Sequence, residues 1–129
     1  GVVERVHFLG YVDGDDKSGA YRFARLLVVP SRQEAMSIVA LEAGICGIPV
    51  LVTDQCGFSE IRSVDKRLEV PATVDGLAVG LINLLAKPGE LKDLSPAWKN
   101  FVQQEYAWSS VGSKYIQLYR SMLDVRGNV

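Results

Sequence analysis

The chain alternates short apolar runs with polar loops and longer mixed stretches, and run length separates strands from helices. The first run, Val6-His7-Phe8-Leu9-Gly10-Tyr11-Val12, predicts a buried strand leading into a loop, with His7 structural. Asp13-Gly14-Asp15-Asp16 is turn chemistry, and Asp16 suits the cap of a short amphipathic helix from Lys17 to Arg25 carrying Tyr21 and Ala24 on one face. Leu26-Leu27-Val28-Val29 is continuously aliphatic, the pattern of a parallel strand buried on both faces, and Pro30 stops it. From Ala35 to Cys46 almost every residue is small or apolar. That stretch predicts a helix covered on most sides and closed by Gly47.

Ile48 to Thr53 reads as the next buried strand, with Pro49 at its start, where no ladder donor is required. Phe58 to Arg62 suits a helical turn, and Leu68-Glu69-Val70 a short strand closed by Pro71. Asp75 is placed to cap a helix through Leu77, Leu81 and Leu85 that ends at Pro88-Gly89. Ser95-Pro96 has the form of a cap followed by Pro at the first helical position, opening a helix with Trp98, Phe101 and Val102. Ser109 or Ser110 opens the last helix, with Tyr115, Leu118, Tyr119, Met122 and Leu123 on its apolar side. The aromatic residues of these last helices, Trp108 included, are expected to pack rather than to stack on sugars.

Alternating apolar strands and helices predict an α/β domain with a parallel sheet. Ligands of such sheets bind beyond the carboxyl ends of the strands. Three loops should lie there: Gly10 to Asp16, Pro30 to Glu34, and Thr53 to Gly57.

Composition narrows the chemistry. The 129 residues are enough for one domain, and 48% hydrophobic with 22% charged residues suits an ordinary core. A net charge of -1 gives no electrostatic case for nucleic acid as a partner. One His excludes a His-based metal cluster, and the Asp13, Asp15 and Asp16 group reads as a solvated turn. Cys46 and Cys56 are expected as free thiols. No apolar run approaches ~20 residues, so no transmembrane helix is expected, and no leader pattern opens the sequence.

Two carboxylates stand out. Glu34 lies where the apolar helix should begin, and Glu42 lies inside it, where an uncompensated charge costs several kcal/mol. On one helix they would be about 80° apart and ~12 Å along the axis. That is too far for a pair acting on one bond, for which about 5–9.5 Å is required. It suits contacts to two ends of an extended ligand. A carboxylate accepts two hydrogen bonds from a vicinal diol as readily as from Arg, so a sugar or ribose fits Glu42, and so does an internal pair with Lys or Arg. The helix start itself, with backbone amides near Ser37, Ile38 and Val39, suits an anion.

Pro30-Ser31, Glu34, Glu42-Ala43, Gly47, Pro49-Val50 and Gly57-Phe58-Ser59-Glu60-Ile61 together resemble the donor half of retaining nucleotide-sugar glycosyltransferases of the GT-B fold, which share an E-x7-E element. Val6 to Val12 is similar to that family's F-x-G strand, and Tyr106-Ala107-Trp108 to the approach to its closing helix. The resemblance implies a Rossmann-like sheet belonging to a C-terminal donor-binding domain. It implies Glu34 as the catalytic-site contact to the donor sugar and Glu42 on the ribose. Ser37, Ile38 and Val39 would cradle the diphosphate, and Tyr11 and Val12 would line the base. It further implies transfer with retained anomeric configuration, assisted by a diphosphate oxygen, with no cofactor and no obligatory metal. The expected location is the cytoplasm, at most peripheral to the inner membrane face. Met36-Ser37 replaces the family's common Phe-Gly, and Cys56 stands at a position commonly Gly. The family's first two strands and a basic Gly-rich loop have no counterpart upstream of Val2. An acceptor half and those strands are therefore expected in a longer protein, and this stretch alone is expected to be inactive, with exposed strand edges that favour a dimer or a segment swap. Two alternatives stay open: a nucleotide-sugar-binding module without catalysis, and a sugar-nucleotide epimerase of the same fold.

Overall fold

In a computed structural model, which describes residues 1–126 and side chains as far as Leu123, three parallel strands form one sheet. They are β1 (Leu27–Val29), β2 (Val50–Thr53) and β3 (Glu69–Val70), in the order β1-β2-β3. Leu27 pairs with Val50 and Val29 with Val52, while Val52 and Thr53 pair with Glu69 and Val70. Helices α1 (Gly14–Phe23), α2 (Ile38–Ile45), α3 (Val74–Leu85), α4 (Pro88–Tyr106) and α5 (Trp108–Arg126) complete the described chain. This is the expected α/β architecture. Central β2 is buried at all its positions, which matches its unbroken apolar run. Pro49 precedes it, and its carbonyl accepts the Leu27 N–H at 3.0 Å, so the missing proline donor costs nothing.

Five expectations fail, each for a physical reason. Val6 to Val12 is not a strand. No strand pairs with it among the described residues, Phe8 and Tyr11 are almost fully exposed, and His7 is exposed as well. An extended segment without a ladder partner gains nothing from β geometry. The cap of α1 is Asp13, not Asp16, and that of α3 is Thr73, whose hydroxyl accepts the Gly76 N–H, rather than Asp75. The Ser95-Pro96 start does not occur: α4 runs through it, with Pro88 in its first turn. Pro96 faces solvent, while Leu91, Leu94, Trp98 and Val102 form one buried stripe across it. Burial of that stripe on both sides outweighs the ~3 kcal/mol penalty of an interior proline. On α5, Trp108, Tyr115 and Tyr119 are more than half exposed, so only Trp98 and Phe101 pack as expected.

The fifth correction concerns the apolar helix. α2 starts at Ile38, with Ser37 as an extended N-cap residue, so Glu34, Ala35 and Met36 lie in the preceding loop. Glu34 is not at the helix start, and the helical spacing argument does not apply to the Glu34–Glu42 pair. The loop takes its bonds from the neighbouring loop instead: the Glu34 N–H donates to the Gln55 carbonyl at 2.9 Å. Nor is α2 covered on most sides. It buries Ala40, Ala43 and Gly44, and leaves Ile38, Val39 and Ile45 exposed. The small face exists because α4 crosses it closely. A Cβ on Gly44 would lie 2.6 Å from Val102 Cγ2 and 2.9 Å from Trp98 Nε1. The C-terminus of α2 closes as expected. Gly47 has φ +79°, its N–H donates to Gly44, and Ile48 N–H donates to Ala43, the paired bonds of a Schellman motif.

Candidate functional site

The carboxyl ends of β1 and β2 open into two loops, Pro30 to Ser37 and Asp54 to Gly57, and their contact shapes the site. Thr53, at the end of β2, donates its hydroxyl to the Ser31 carbonyl and lies 3.4 Å from Cys56 Sγ. The buried Cys56 thiol donates in turn to the Val29 carbonyl at 3.6 Å. Gly57, at φ +58°, lets the second loop come so close that a Cβ there would lie 2.7 Å from the Ala35 carbonyl carbon and 2.8 Å from the Glu34 carbonyl oxygen. Cys56 and Cys46 are both free thiols, as expected.

On this frame Glu34 is half-buried, and its Oε2 accepts from Ser31 Oγ at 3.1 Å. Ser37 is fully buried, caps no backbone N–H, and its Oγ has no hydrogen-bond partner. Ile38 and Val39 follow it on the exposed side of the first turn. An unpartnered buried hydroxyl costs about 1–3 kcal/mol, and here it stands beside amides that an α-helix leaves unsatisfied.

Glu42 is neither uncompensated nor deeply buried. Its side chain is 36% exposed, and α1 supplies two donors: Lys17 Nζ at 2.7 Å from Oε1 and 2.6 Å from Oε2, and Tyr21 OH at 2.9 Å from Oε2. The internal pair with Lys is thus formed. The three side chains line a cavity of about 420 Å³ with Asp13, Gly14 and Cys46. Tyr11 and Val12 immediately precede that lining, Tyr11 exposed and Val12 half-buried. Among the described residues no group of three or more His, Cys, Asp or Glu gathers as a metal set, and no helix is long and apolar enough to cross a membrane. Sequence reasoning missed Lys17 as a partner of Glu42. Its four-residue spacing from Tyr21 on one helix face was the available signal.

The ionisation of the cluster follows from these contacts. Burial, the hydrogen bond to Glu42, the Glu42 charge and Cys46 together push the Tyr21 phenol from 10.0 up to about 12. Burial pushes Glu42 up, but the hydrogen bonds from Lys17 and Tyr21 and the Lys17 charge outweigh it and hold the carboxyl below its usual range. The folded state therefore binds the phenolic proton more tightly than the unfolded chain. That contribution to stability is full below pH 10.0 and is lost as pH rises through about 12. The Glu42 contribution runs the other way, present above the usual carboxylate range and lost as pH falls through the lowered value. We expect urea-unfolding curves of Tyr21→Phe to lose less stability than wild type between pH 10 and 12. Identical alkaline slopes for the two proteins would contradict this.

A protein-family model described as glycosyl transferases group 1 matches residues 1–87, two thirds of the sequence. The chain belongs to the group 1 glycosyl transferases. It is 32% identical to an uncharacterized glycosyltransferase of Methanocaldococcus jannaschii over 129 residues, 98% of this chain and 33% of that protein. To the GDP-mannose-dependent monoacylated alpha-(1-6)-phosphatidylinositol monomannoside mannosyltransferase of Corynebacterium glutamicum it is 29% identical, covering 93% of this chain and 34% of the relative. The sucrose-phosphate synthase of Thermosynechococcus elongatus superposes with a TM-score of 0.78 at 30% identity, over 95% of this chain and 31% of that one. This group 1 glycosyl transferase chain thus spans about a third of the length of the curated relatives it matches. The Rossmann-like, GT-B-type architecture stands on that structural likeness together with the parallel sheet.

Proposed function

We propose that this chain forms the donor-binding part of an enzyme that transfers a sugar from a nucleotide-diphosphate sugar to an acceptor with retention of anomeric configuration. The observation that carries the reading is the Ser37 hydroxyl, fully buried and without a partner at the N-terminus of α2. A diphosphate oxygen there would accept from Ser37 and from the amides of Ile38 and Val39, in the favourable field of the helix end. Catalysis then rests on stabilising the leaving diphosphate, which requires neither cofactor nor metal. Glu34, held by Ser31 beside this point, accepts from hydroxyls of the donor sugar. Glu42 holds the ribose, with Tyr11 and Val12 toward the base. The acceptor-binding part and the strands beside β1 belong to a longer protein, in keeping with relatives about three times this length. The donor chemistry suits a cytoplasmic protein, at most peripheral to the inner membrane face, serving glycan or glycolipid synthesis as several relatives' names suggest.

The test is titration of the full-length protein with UDP-, GDP- and ADP-sugars, followed by turnover. Absence of binding by all three defeats the reading, and binding without transfer or hydrolysis leaves a binding module. Hydrogen bonds to a charged acceptor are worth enough that Glu42→Gln should weaken nucleotide affinity about tenfold or more. Glu34→Gln should leave affinity within about threefold and lower kcat by about ten- to a hundredfold. The reverse pattern would exchange the two roles.

A further inference from the structure

The contacts around Glu42 separate two neighbours with different geometry. Tyr21 OH approaches only Oε2, at 2.9 Å. Lys17 Nζ lies 2.7 Å from Oε1 and 2.6 Å from Oε2, so the ammonium straddles the outer edge of the carboxylate. A vicinal diol that gives one hydroxyl to each oxygen needs that same edge. The Lys17 and Glu42 side chains are 34% and 36% exposed, so the ammonium can leave into water. Tyr21 is half-buried and bonds Oε2 alone, which leaves Oε1 to a second donor once the ammonium has gone.

We infer that Lys17 is a built-in competitor for the ribose diol at Glu42, and that Tyr21 is the positioning residue that keeps the carboxylate oriented once Lys17 is displaced. The inference rests on the reading of Glu42 as the ribose contact. Its physical content is an exchange: one ion pair opens and two hydroxyl–carboxylate bonds form, so donor affinity carries the cost of freeing Glu42. A partly exposed ion pair sets that cost at about a two- to fivefold change in affinity. The two α1 side chains therefore act in opposite directions, although both bond to the same group.

The experiment compares Kd values of UDP, GDP and ADP, and of their 2′,3′-dideoxy analogues, for full-length wild type, Lys17→Met and Tyr21→Phe, by isothermal titration calorimetry. Lys17→Met is expected to tighten the diol-bearing nucleotides by about two- to fivefold and to leave the dideoxy analogues unchanged or weaker. Tyr21→Phe is expected to weaken the diol-bearing nucleotides by about fivefold and to affect the dideoxy analogues less. A merely structural role for α1 would move both ligand classes together. If wild type binds diol and dideoxy nucleotides equally, or binds none, the ribose assignment of Glu42 fails and this inference with it. If wild type discriminates them but Lys17→Met leaves the ratio unchanged or lowers diol affinity, only the competitor role is overturned. A Tyr21→Phe protein with wild-type discrimination overturns the positioning role.

Discussion

Gly57→Ala should destabilise the protein by about 2–5 kcal/mol, visible as a lower urea midpoint with an unchanged slope. Two independent costs add. Gly57 sits at φ +58°, in the left-handed region that a Cβ disfavours by about 1–2 kcal/mol. The added methyl would also meet backbone: its nearest contacts are the Ala35 and Glu34 carbonyl groups. Backbone cannot turn aside as the far end of a flexible side chain can, so the loop carrying Glu34 must move, and overpacking of that kind costs about 1–3 kcal/mol. If Glu34 contacts the donor sugar as proposed, the change should also lower turnover of the full-length protein, because the Glu34 N–H is tied to Gln55, two residues before Gly57. A loss below about 1 kcal/mol with turnover intact would show that the loop contact is softer than described.

Trp98→Ala should cost about 3–5 kcal/mol by the same measurement. The indole is fully buried, lies against Gly44, meets Phe58 edge-on at 5.5 Å, and stacks on Phe101 at 5.7 Å. It is the point where α4 holds α2, so its loss opens a cavity behind the helix that Ser37 precedes and that carries Glu42. The ring nitrogen has no hydrogen-bond partner. Trp98→Phe removes that unsatisfied donor while keeping most of the ring, and should cost less than half as much as Trp98→Ala. Equal losses for the two variants would mean that the crossing depends on the part of the indole that a phenyl ring leaves empty.

The parts of the fold that local chemistry determines are legible in the sequence. β1 and β2 announce themselves as unbroken aliphatic runs, Gly47 as a helix stop, and Pro71 as the end of β3. What needs a neighbour to decide it is not legible. Val6 to Val12 has the composition of a strand, yet pairing depends on a second strand that no property of these residues supplies. Pro96 looks like a start, and only the buried stripe from Leu91 to Val102 shows why the helix passes through it. The beginning of α2 is set by the Gln55 and Gly57 contacts to the loop, some twenty residues away, which no helix propensity encodes. The two carboxylates were visible as exceptions in an apolar setting, but the Lys17 partner of Glu42 lies on another element.

The sheet's topology also limits how the molecule can assemble itself. β2 is the shared partner of both other described strands, and each pairing joins residues about twenty positions apart in sequence. Neither outer strand can dock before the middle one is in place, and each docking closes a loop whose entropy is spent before any pairing compensates it. Substitutions in Val50 to Thr53 are therefore expected to slow folding more than substitutions in the flanking helices, as refolding rates of the two sets would show.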